Sequence, residues 1–388
     1  MWITRNAERL IRQLGRQFPV VFVTGARQAG KTSILTHIYP DYTYVTLDDP
    51  DRAAEAENAP SDFLGSLPRP VIIDEAQYVP RLFRHIKIIV DKVRKHGQFF
   101  ITGSQNFSLM QNLTESLAGR CGIVSLQTLS ADELKKSGVM PSIEKYISTG
   151  GFPALYSVRN INVRHWYPSY IATYLERDVR NIINVGNLRD FNRFLRASAA
   201  RTAQTLSLSD LARDVGVAPN TVKSWLSVLQ ASHIIYLLEP YYRNIGKRLV
   251  KSPKLYFLDT GLAAHLTGLY SWQEIFKSPL AGALWETYAF NQILRCLLRH
   301  GISTPPLYYW RTSNGRETDF IIEKGGRFIA FEAKLTGSPT TADLNGFRAL
   351  EEYYGGGSLI KGFLICRIGK TFSMAKNIRA INGTVISL

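Results

Sequence analysis

The chain has 388 residues, 45% of them hydrophobic and 20% charged, with a formal net charge of +16. This composition is that of a folded globular protein, and the length exceeds one ordinary domain, so roughly two to four domains are expected. No apolar run approaches the ~18 residues of a membrane-spanning helix, so no membrane contact is expected. The basic excess predicts contact with a polyanion such as DNA, although a basic surface that aids solubility gives the same count.

The cysteines are few and widely spaced. Cys121, Cys296 and Cys366 lie in apolar segments, which predicts neither a disulfide framework nor a zinc site and fits a reducing cytoplasm. Residues 1–12 have the pattern of a charged amphipathic helix rather than of a secretory signal. A cytoplasmic protein is therefore expected.

Residues 25–32 read Gly-Ala-Arg-Gln-Ala-Gly-Lys-Thr and follow an apolar run at 19–24. A buried strand, a glycine loop of this spacing and a helix beginning near Lys31 predict a phosphate-binding loop, because the glycines let backbone N–H groups turn toward phosphate oxygens. Lys31 should contact the β- and γ-phosphates of ATP, and the Thr32 hydroxyl should bind Mg²⁺. The predicted ATP-binding residues are Gly25, Ala26, Arg27, Gln28, Ala29, Gly30, Lys31, Thr32, Ser33 and Ser104.

Two acidic residues complete the predicted ATP site. Strands are predicted at 42–47 and 70–75, and the second ends in Asp74 and Glu75. Asp74 is expected to hold Mg²⁺, directly or through water, and Glu75 to polarise the water that attacks the γ-phosphate. The alternative is a buried strand followed by two loop acids. The alternation of strands and helices predicts a parallel, three-layer α/β sheet with ATP at the carboxyl ends of the strands.

Further candidates lie around two later strands. The end of a predicted strand at 98–105 offers Ser104, Gln105 or Thr102 as a polar sensor of the γ-phosphate, with a loop-capping serine as the alternative. Arg120 precedes a predicted strand at 123–126 and is a candidate catalytic arginine finger, in cis or from a neighbouring subunit. Arg120 could equally tie the end of a helix to a carboxylate.

The middle of the chain predicts helices. Residues 131–195 read as a helical lid or linker, in which Arg177 and Arg180 either approach the nucleotide or form a solvated helix face. At 206–229 a capped helix, a Gly216 turn and a second helix precede two apolar segments, which predicts a winged helix-turn-helix.

A DNA-reading role and a packing role are both open for this unit. In a DNA reader, the second helix would face the major groove and a basic segment would contact phosphates; these residues are Asn220, Thr221, Lys223 and Ser224, followed by Arg243, Lys247, Arg248 and Lys251. As a packing module beside an ATPase, the unit would read no bases. Trp225 and Leu226 are expected in the core in either case.

Four residues near the C-terminus have the pattern of a nuclease site. Glu286 lies on a predicted helix, and Asp319 opens a strand that turns at 325–326 and returns through Glu332 and Lys334. Counting outward from the two-residue turn places Asp319 opposite Glu332, with Cβ atoms about 5 Å apart, and Lys334 on the same face as Glu332.

Facing carboxylates repel each other unless a cation or a proton lies between them. The pattern therefore predicts a metal site formed by Glu286, Asp319 and Glu332, with Glu332 and Lys334 as catalytic residues for phosphodiester attack. The alternative is a salt-bridged strand pair in which Glu317 pairs with Lys334.

Together these segments resemble a known family. Residues 25–32, 71–75, 100–105 and 116–120 look like the AAA-type ATPases that carry a C-terminal domain of unknown function, DUF4143. Residues 151–154, 174–178 and 251–261 are similar to the intervening blocks of that family, and the four C-terminal residues match the PD-(D/E)xK nuclease-fold pattern. The resemblance covers nearly the whole chain and implies a prokaryotic cytoplasmic protein with ATPase, winged-helix and restriction-endonuclease-like parts.

The predicted fold class is a multidomain α/β protein. Its expected domains are an AAA-type P-loop ATPase core at 1–130, a helical lid or linker at 131–195, a winged helix-turn-helix at 196–265 and a PD-(D/E)xK nuclease-like domain at 266–388. The expected function is ATP hydrolysis with Mg²⁺, coupled to DNA binding or processing, with a homo-oligomer left open. The alternatives are an ATP-controlled switch or scaffold with an inactive nuclease-like domain and, ranked last, a transcription regulator.

Overall fold

The computed structural model describes residues 2–103, 115–158, 160–175, 188–243, 252–302, 304–384 and 386. The strands in these ranges form a five-stranded, a three-stranded and a six-stranded sheet. The chain is thus a multidomain α/β protein with a parallel sheet first, as the sequence predicts, and its last sheet is mixed.

The N-terminal domain holds a parallel sheet. Its strands are β1 (Val20–Gly25), β2 (Thr43–Thr46), β3 (Val71–Asp74), β4 (Phe99–Gly103) and β5 (Cys121–Leu126), in the order β2-β3-β4-β1-β5. Its helices are α1 (Ala7–Gln17), α2 (Lys31–Ile38), α3 (Pro50–Asn58), α4 (Pro60–Ser66) and α5 (Leu82–Val93).

The parallel sheet is covered on both faces, as three layers require. Val20 and Phe22 of β1 pack in one apolar cluster with residues of α5, whereas Val21 and Val23 pack in another with residues of α1 and α2. Side chains alternate across a strand, so a strand buried on both faces reads as an unbroken apolar run. This is why residues 19–24 predict a central strand.

The middle of the chain is mostly helical. Its helices are α6 (Ala131–Lys136), α7 (Ile143–Thr149), α8 (Ala154–Ser157), α9 (Val163–Tyr170), a π-helical turn (Ile171–Leu175), α10 (Leu188–Ala199), α11 (Leu208–Val215), α12 (Pro219–Ala231), α13 (Thr260–Leu266) and α14 (Trp272–Lys277). Three short strands, β6 (Gln204–Thr205), β7 (Ile235–Leu238) and β8 (Lys254–Phe257), form an antiparallel sheet in the order β6-β8-β7.

Helices α11 and α12, which a short turn joins, lie where the sequence predicts a helix-turn-helix pair. The Ser207 side chain caps α11 by accepting the Asp210 N–H at 3.3 Å, and α11 ends at Gly216 with a left-handed φ of 82°. Pro219 begins α12, where the absence of an N–H has no consequence. Trp225 and Leu226 are buried, as expected.

The C-terminal domain holds a mixed sheet. It consists of α15 (Ala281–Arg299), β9 (Leu307–Arg311), β10 (Glu317–Lys324), β11 (Arg327–Ala333), α16 (Asn345–Tyr354), β12 (Leu359–Ile365), β13 (Phe372–Ala375) and β14 (Ile378–Ile381). The strand order is β13-β14-β12-β11-β10-β9; β12 runs parallel to both of its neighbours, and the other pairs are antiparallel.

A shared core joins the middle of the chain to the C-terminal domain. One apolar cluster contains Leu129 before α6, Leu229 of α12, Trp285 of α15 and Phe320 of β10. Residues from all these elements pack together, so these segments share one hydrophobic core and are not separate domains joined by a flexible linker. Among the described helices, none is both long enough and apolar enough to cross a membrane.

Candidate nucleotide site and a second acidic cluster

The glycine loop turns where no side chain can fit. Gly25 has a φ of 151°, and a Cβ at this position would lie 2.1 Å from the carbonyl oxygen of Leu126. Gly30 has a φ of 90° and is the N-cap of α2. Only glycine tolerates these conformations without strain, so the loop has room for backbone N–H groups to approach phosphate oxygens.

Lys31 is held against the loop. Its side chain is buried, and its Nζ donates to the carbonyl oxygens of Gly25 at 3.2 Å and Ala26 at 3.1 Å. This ammonium adds to the positive dipole end of α2 at the point where an anion would bind. Within the loop, Ala26 and Ala29 are buried. Ser33, in the first turn of α2, is exposed to solvent.

An arginine from outside the motif supports the loop. The guanidinium of Arg5 donates to the carbonyl oxygen of Ala29 at 2.9 Å and to that of Gln127 at 2.6 Å. The Arg5 Nε also pairs with Glu133 of α6 at 3.2 Å, and both side chains are almost fully buried. Arg5 therefore connects the phosphate loop to the segment that follows β5.

Asp74 joins the two predicted motifs. The Thr32 hydroxyl donates to Asp74 Oδ1 at 2.7 Å, and the Tyr44 hydroxyl donates to Asp74 Oδ2 at 3.1 Å. Burial and then the Asp74 charge raise the pKa of Tyr44 to about 12, so the phenol remains a donor at neutral pH. Sequence reasoning missed Tyr44, although β2 was predicted, because its contact with Asp74 depends on β2 lying beside β3.

Thr102 at the end of β4 contacts both acidic residues. Its hydroxyl donates to Asp74 and accepts the backbone N–H of Glu75 at 3.1 Å. Glu75 has a left-handed φ of 56°, and its carboxylate accepts a hydrogen bond from Gln77 Nε2. Of the predicted sensor residues, Thr102 lies at the site; Ser104 and Gln105 lie outside the described residues, as do Arg177 and Arg180.

Arg120 lies away from the phosphate loop of its own chain, and its role as an arginine finger, in cis or from a neighbouring subunit, stays a prediction. Arg120 Nη2 donates to Asp91 of α5 at 3.1 Å, and its carbonyl oxygen accepts the N–H of Val20 at the start of β1. The loop follows the other end of β1, about 17 Å away. Arg120 thus ties the end of a helix to a carboxylate, as the alternative prediction held.

The C-terminal hairpin has the predicted register. Gly325 and Gly326 both have positive φ at the turn, and Phe320 pairs with Phe331. The next residues outward are Asp319 and Glu332, both buried. Asp319 Oδ2 accepts the backbone N–H of Ala333 at 2.9 Å.

The ion pairs around this hairpin differ from the predicted alternative. Lys334 does not pair with Glu317; its Nζ lies 3.0 Å from Glu332 Oε2. Glu317 pairs instead with Lys254 of β8, whose Nζ also lies 3.0 Å from Glu286 Oε1. Sequence reasoning missed Lys254, which comes from the preceding sheet and is buried among acids.

Burial raises the pKa of two of these carboxyls. The pKa of Glu286 rises to about 7, chiefly through burial and then through the Asp319 charge, against the opposing effect of Lys254. The Tyr256 hydroxyl donates to Glu286 Oε1 at 2.6 Å. The pKa of Glu332 also rises well above its usual range for the same two reasons. Glu332 Oε1 is buried without a hydrogen-bond partner in the described part of the chain.

Of the three predicted metal ligands, Glu286 and Glu332 form ion pairs with lysines, whereas Asp319 accepts a backbone N–H. Within the described ranges, no three carboxylate, histidine or cysteine side chains are grouped so that they could hold a metal ion. Glu286 and Glu332 each pair with a lysine instead, and the role of Glu286, Asp319 and Glu332 as metal ligands stays a prediction.

The helix-turn-helix pair presents polar residues to solvent. Asn220, Lys223 and Ser224 are exposed on α12, and Thr221 is partly exposed. Arg243 lies over the ring of Tyr354, 4.9 Å from its centroid. Lys247, Arg248 and Lys251 lie outside the described residues.

Family models match three consecutive segments of the chain. The model described as an AAA domain matches residues 17–135, and the domain of unknown function DUF4143 matches residues 281–385. Between them, the domain of unknown function DUF8612 matches residues 140–273, which include the helix-turn-helix pair.

Two mycobacterial proteins are relatives over most of the chain. The uncharacterized proteins Rv2008c of Mycobacterium tuberculosis and Mb2031c of Mycobacterium bovis are each 33% identical over 343 residues, which cover 87% of this chain and 75% of theirs. The chain therefore belongs to the family that joins an AAA-type ATPase domain to a C-terminal DUF4143 domain.

Two solved structures match part of the chain at low identity. The Walker-type ATPase PABY2304 of Pyrococcus abyssi is 17% identical with a TM-score of 0.48, covering 68% of this chain and 96% of that protein. AMPPCP-bound DnaA from Aquifex aeolicus is 15% identical with a TM-score of 0.30, covering 59% of this chain and 89% of DnaA.

Proposed function

We propose that the chain binds ATP and hydrolyses it with Mg²⁺ at the site formed by the phosphate loop, Asp74 and Glu75. The observation that carries the proposal is the 2.7 Å hydrogen bond from the Thr32 hydroxyl to Asp74, which joins two motifs 42 residues apart. A glycine loop alone has other uses, but a loop threonine that meets a strand-end aspartate is the arrangement with which P-loop NTPases hold Mg²⁺. The AAA match over the same residues supports this assignment.

The donor atoms at this site suit magnesium. Hydroxyl and carboxylate oxygens are the protein ligands that Mg²⁺ accepts, and Thr32 and Asp74 bring one of each to the same point. Thr32 and Asp74 would hold the ion, directly or through water, and a bound Mg²⁺ neutralises phosphate charge.

The remaining residues divide the work of hydrolysis. Lys31 and the loop N–H groups bind the β- and γ-phosphates and stabilise the charge that grows on them. Glu75 accepts the proton of the attacking water. Because Thr102 holds the Glu75 backbone N–H at 3.1 Å and Gln77 holds its carboxylate, the base is fixed in orientation.

Substitution of the loop lysine tests this proposal. Lys31→Ala should lower ATP turnover by about a hundredfold or more, because it removes a cation that acts on transition-state charge. Phosphate release with Mg-ATP is the measurement, and Lys92→Ala, on the exposed face of α5, is the matched control. Thermal unfolding of both variants establishes that they fold. Unchanged turnover in a folded Lys31→Ala variant would rule the proposal out.

DNA is the partner that we propose for the nucleotide-bound protein. The net charge of +16 and the exposed Asn220, Lys223 and Ser224 on α12 support this partner. Fluorescence anisotropy with a DNA duplex at two salt concentrations tests it. Lys223→Ala should weaken binding several-fold and reduce the salt slope by about one, whereas Lys135→Ala, exposed on α6, should change neither. Binding by Lys223→Ala equal to that of the wild type would exclude α12 as the contact.

A second candidate function is metal-dependent cleavage of DNA by the C-terminal domain. Buried Asp319 beside Glu332, with Lys334 at 3.0 Å from Glu332, supports it. The pairing of Glu286 with Lys254 supports the alternative of a switch or scaffold without nuclease activity.

Plasmid nicking with Mg²⁺ or Mn²⁺ separates these two functions. Nicking that is lost in Glu332→Gln but kept in Glu352→Gln, a largely exposed residue paired with Arg316, would identify a nuclease. The absence of nicking by the wild-type protein with either metal, with and without ATP, would leave the switch or scaffold.

A further inference from the structure

One residue of the helix-turn-helix unit reaches the nucleotide site. His233 follows α12 by two residues and precedes β7, and its Nε2 lies 3.5 Å from the Thr24 hydroxyl oxygen. Thr24 is buried at the end of β1, directly before Gly25 of the phosphate loop. The two residues are 209 positions apart in sequence. This contact connects the phosphate loop to the unit that we propose contacts DNA.

The backbone of His233 is held in an unfavourable conformation. Its φ of 54° lies in the left-handed region, which residues other than glycine adopt uncommonly. Hydrogen bonds on both sides hold this turn: His233 N–H donates to Gln230 at 3.0 Å and Ile234 N–H to Leu229 at 2.9 Å. These bonds fix the position of the His233 side chain relative to α12.

The imidazole lies in the electrostatic field of the loop lysine. Burial and then the positive charge of Lys31 lower the pKa of His233 to about 4. At neutral pH the ring is therefore uncharged and has one N–H to donate. An uncharged donor can lie beside the Lys31 ammonium without repulsion and still contribute a hydrogen bond to an anionic oxygen.

From this geometry we propose that His233 is a nucleotide-phosphate contact supplied by the helix-turn-helix unit, so that ATP at the loop fixes the position of α12. The inference deepens the proposed function and rests on ATP binding at the loop. A phosphate chain bound along Gly25–Lys31 would add anionic oxygens beside Thr24 and Lys31, and the His233 ring lies 3.5 Å from the Thr24 hydroxyl. The ring would then donate a hydrogen bond to the nucleotide, while the backbone N–H of His233 stays bonded to Gln230 of α12.

The path from His233 to the exposed surface of α12 is short and rigid. Ser232 N–H donates to Val228 at 2.8 Å, which locks the turn to the end of the helix. On the other side, Leu258 N–H donates to Ile234 at 2.9 Å. The 13 residues of α12 span about 20 Å, with Asn220 near the far end. A nucleotide that holds the imidazole in place therefore also holds α12 in place.

Three variants separate a phosphate contact from simple packing. His233→Ala removes the ring, His233→Asn keeps a hydrogen-bond donor in a residue that accepts the left-handed backbone, and His265→Ala is the matched control. His265 is also partly buried with a lowered pKa, but it lies on α13 against Tyr167. The affinity for Mg-AMP-PNP is measured by calorimetry, and amide hydrogen exchange of α12 is measured with and without this analogue.

The expected result is a full loss of both properties in His233→Ala alone. His233→Ala should bind Mg-AMP-PNP about tenfold more weakly, and the protection of α12 by the analogue should disappear, because a hydrogen bond to a charged group is lost. His233→Asn should keep part of both, and His265→Ala should match the wild type. Loss of affinity in His233→Ala with unchanged melting in the absence of nucleotide excludes a purely structural role.

The opposite results overturn the inference. Affinity of His233→Ala within twofold of wild type, or equal α12 protection with and without the analogue in the wild type, rules it out. If His233→Ala does not fold, His233→Asn decides by the same two measurements. A wild type that fails to bind the analogue would refute the proposed ATP site itself, whereas binding that requires Lys31 but not His233 refutes this inference alone.

Discussion

Thr102 contacts Asp74 and Glu75 at once, through a single hydroxyl. It donates its proton to the Asp74 carboxylate and accepts the Glu75 backbone N–H. Asp74 belongs to the proposed magnesium site and Glu75 is the proposed base. This hydroxyl therefore fixes the position of the Glu75 backbone relative to the Asp74 carboxylate. Thr102 is fully buried, and no solvent competes for these bonds.

Removing this hydroxyl should impair turnover more than binding. Thr102→Val keeps the shape of the side chain but loses both hydrogen bonds, so Glu75 is no longer held in place. We expect kcat to fall by about tenfold to a hundredfold with KM for ATP within threefold, because the base acts only in the transition state. Steady-state kinetics measure both constants.

A threonine on the same side of the sheet serves as the control. Thr36 lies on the exposed face of α2, where its hydroxyl bonds only to backbone carbonyls, Thr32 at 3.1 Å and Ser33 at 3.3 Å. Thr36→Val should leave kcat unchanged. Full turnover in Thr102→Val would show that this hydroxyl does not position the base.

The sequence predicts the loop residues well and the supporting residues poorly. The glycine motif fixes the positions of Lys31 and Thr32, and the end of a strand fixes the position of Asp74. Their places in the site therefore follow from local sequence alone. Tyr44 and His233 carry no such pattern, because each becomes part of the site only through its neighbours in space. Periodicity tells which face of an element is buried but not which element lies beside it.

At the scale of elements, the start of α16 packs directly on the acidic hairpin. The Thr318 hydroxyl donates to the carbonyl oxygen of Gly346 at 3.1 Å. A Cβ at Gly346 would lie 1.8 Å from Glu332 Oε1 and 2.8 Å from the Glu317 carbonyl oxygen. The absence of a side chain at Gly346 lets the helix backbone approach the buried carboxylate.

A pair of glycine variants tests this packing. Gly346→Ala should lower the free energy of unfolding by about 1–3 kcal/mol, because the methyl group overlaps with Glu332 and with backbone atoms that cannot move freely. Gly282 is also the second residue of a helix, α15, but has open space around it. Gly282→Ala should be neutral or stabilise the fold by up to about 1 kcal/mol. Urea denaturation measures both, and equal stability of the two variants would contradict the close approach.

The hairpin shows what local sequence rules predict at this scale. A two-residue Gly325-Gly326 turn fixes the strand register, so the proximity of Asp319 and Glu332 follows from counting. The pairing of Glu317 with Lys334, which the sequence offers as an alternative to a metal site, does not form because Lys254, from a separate sheet, pairs with Glu317. A hairpin rule describes two strands and cannot foresee a cation supplied by a third.

At the scale of the whole molecule, the Asp259 side chain joins segments that are distant in sequence. Its carboxylate accepts the N–H of Gly151 and the hydroxyl of Tyr167, both at 2.7 Å, and the N–H of Leu262 at 3.0 Å. The Thr128 hydroxyl, just after the parallel sheet, donates to it at 3.3 Å. One buried side chain thus links the end of the ATPase domain to α9 and α13.

Asp259→Asn should loosen this arrangement. The amide of asparagine offers only one acceptor atom and presents an NH₂ group to donors that already point inward. We expect the free energy of unfolding to fall by about 2 kcal/mol or more, because bonds to a charged acceptor are lost in a buried site. Asp210→Asn, on the exposed face of α11, should cost less than about 1 kcal/mol. Urea denaturation of both variants is the measurement, and equal losses would contradict a joining role for Asp259.

The order of the elements along the chain was predictable, but their common core was not. Strand and helix alternation predicts a parallel sheet, and turn signals predict the helix-turn-helix pair. The large apolar cluster that includes Leu129, Leu229, Trp285 and Phe320 depends on long-range packing of segments that each read as ordinary amphipathic elements. Such packing is decided by shape complementarity, which no local pattern encodes.

The anchoring of the phosphate loop by Arg5 restricts the relative motion of the parts that it joins. Its guanidinium bonds at once to the loop at Ala29, to the chain after β5 at Gln127, and to α6 at Glu133. A rotation of α6 against the sheet must either carry the loop with it or break buried, charge-assisted bonds. The phosphate loop and α6 therefore move together, although they are about 100 residues apart in sequence. A displacement of α6 is transmitted to the loop through Arg5, and the residues that lie between them in sequence need not rearrange.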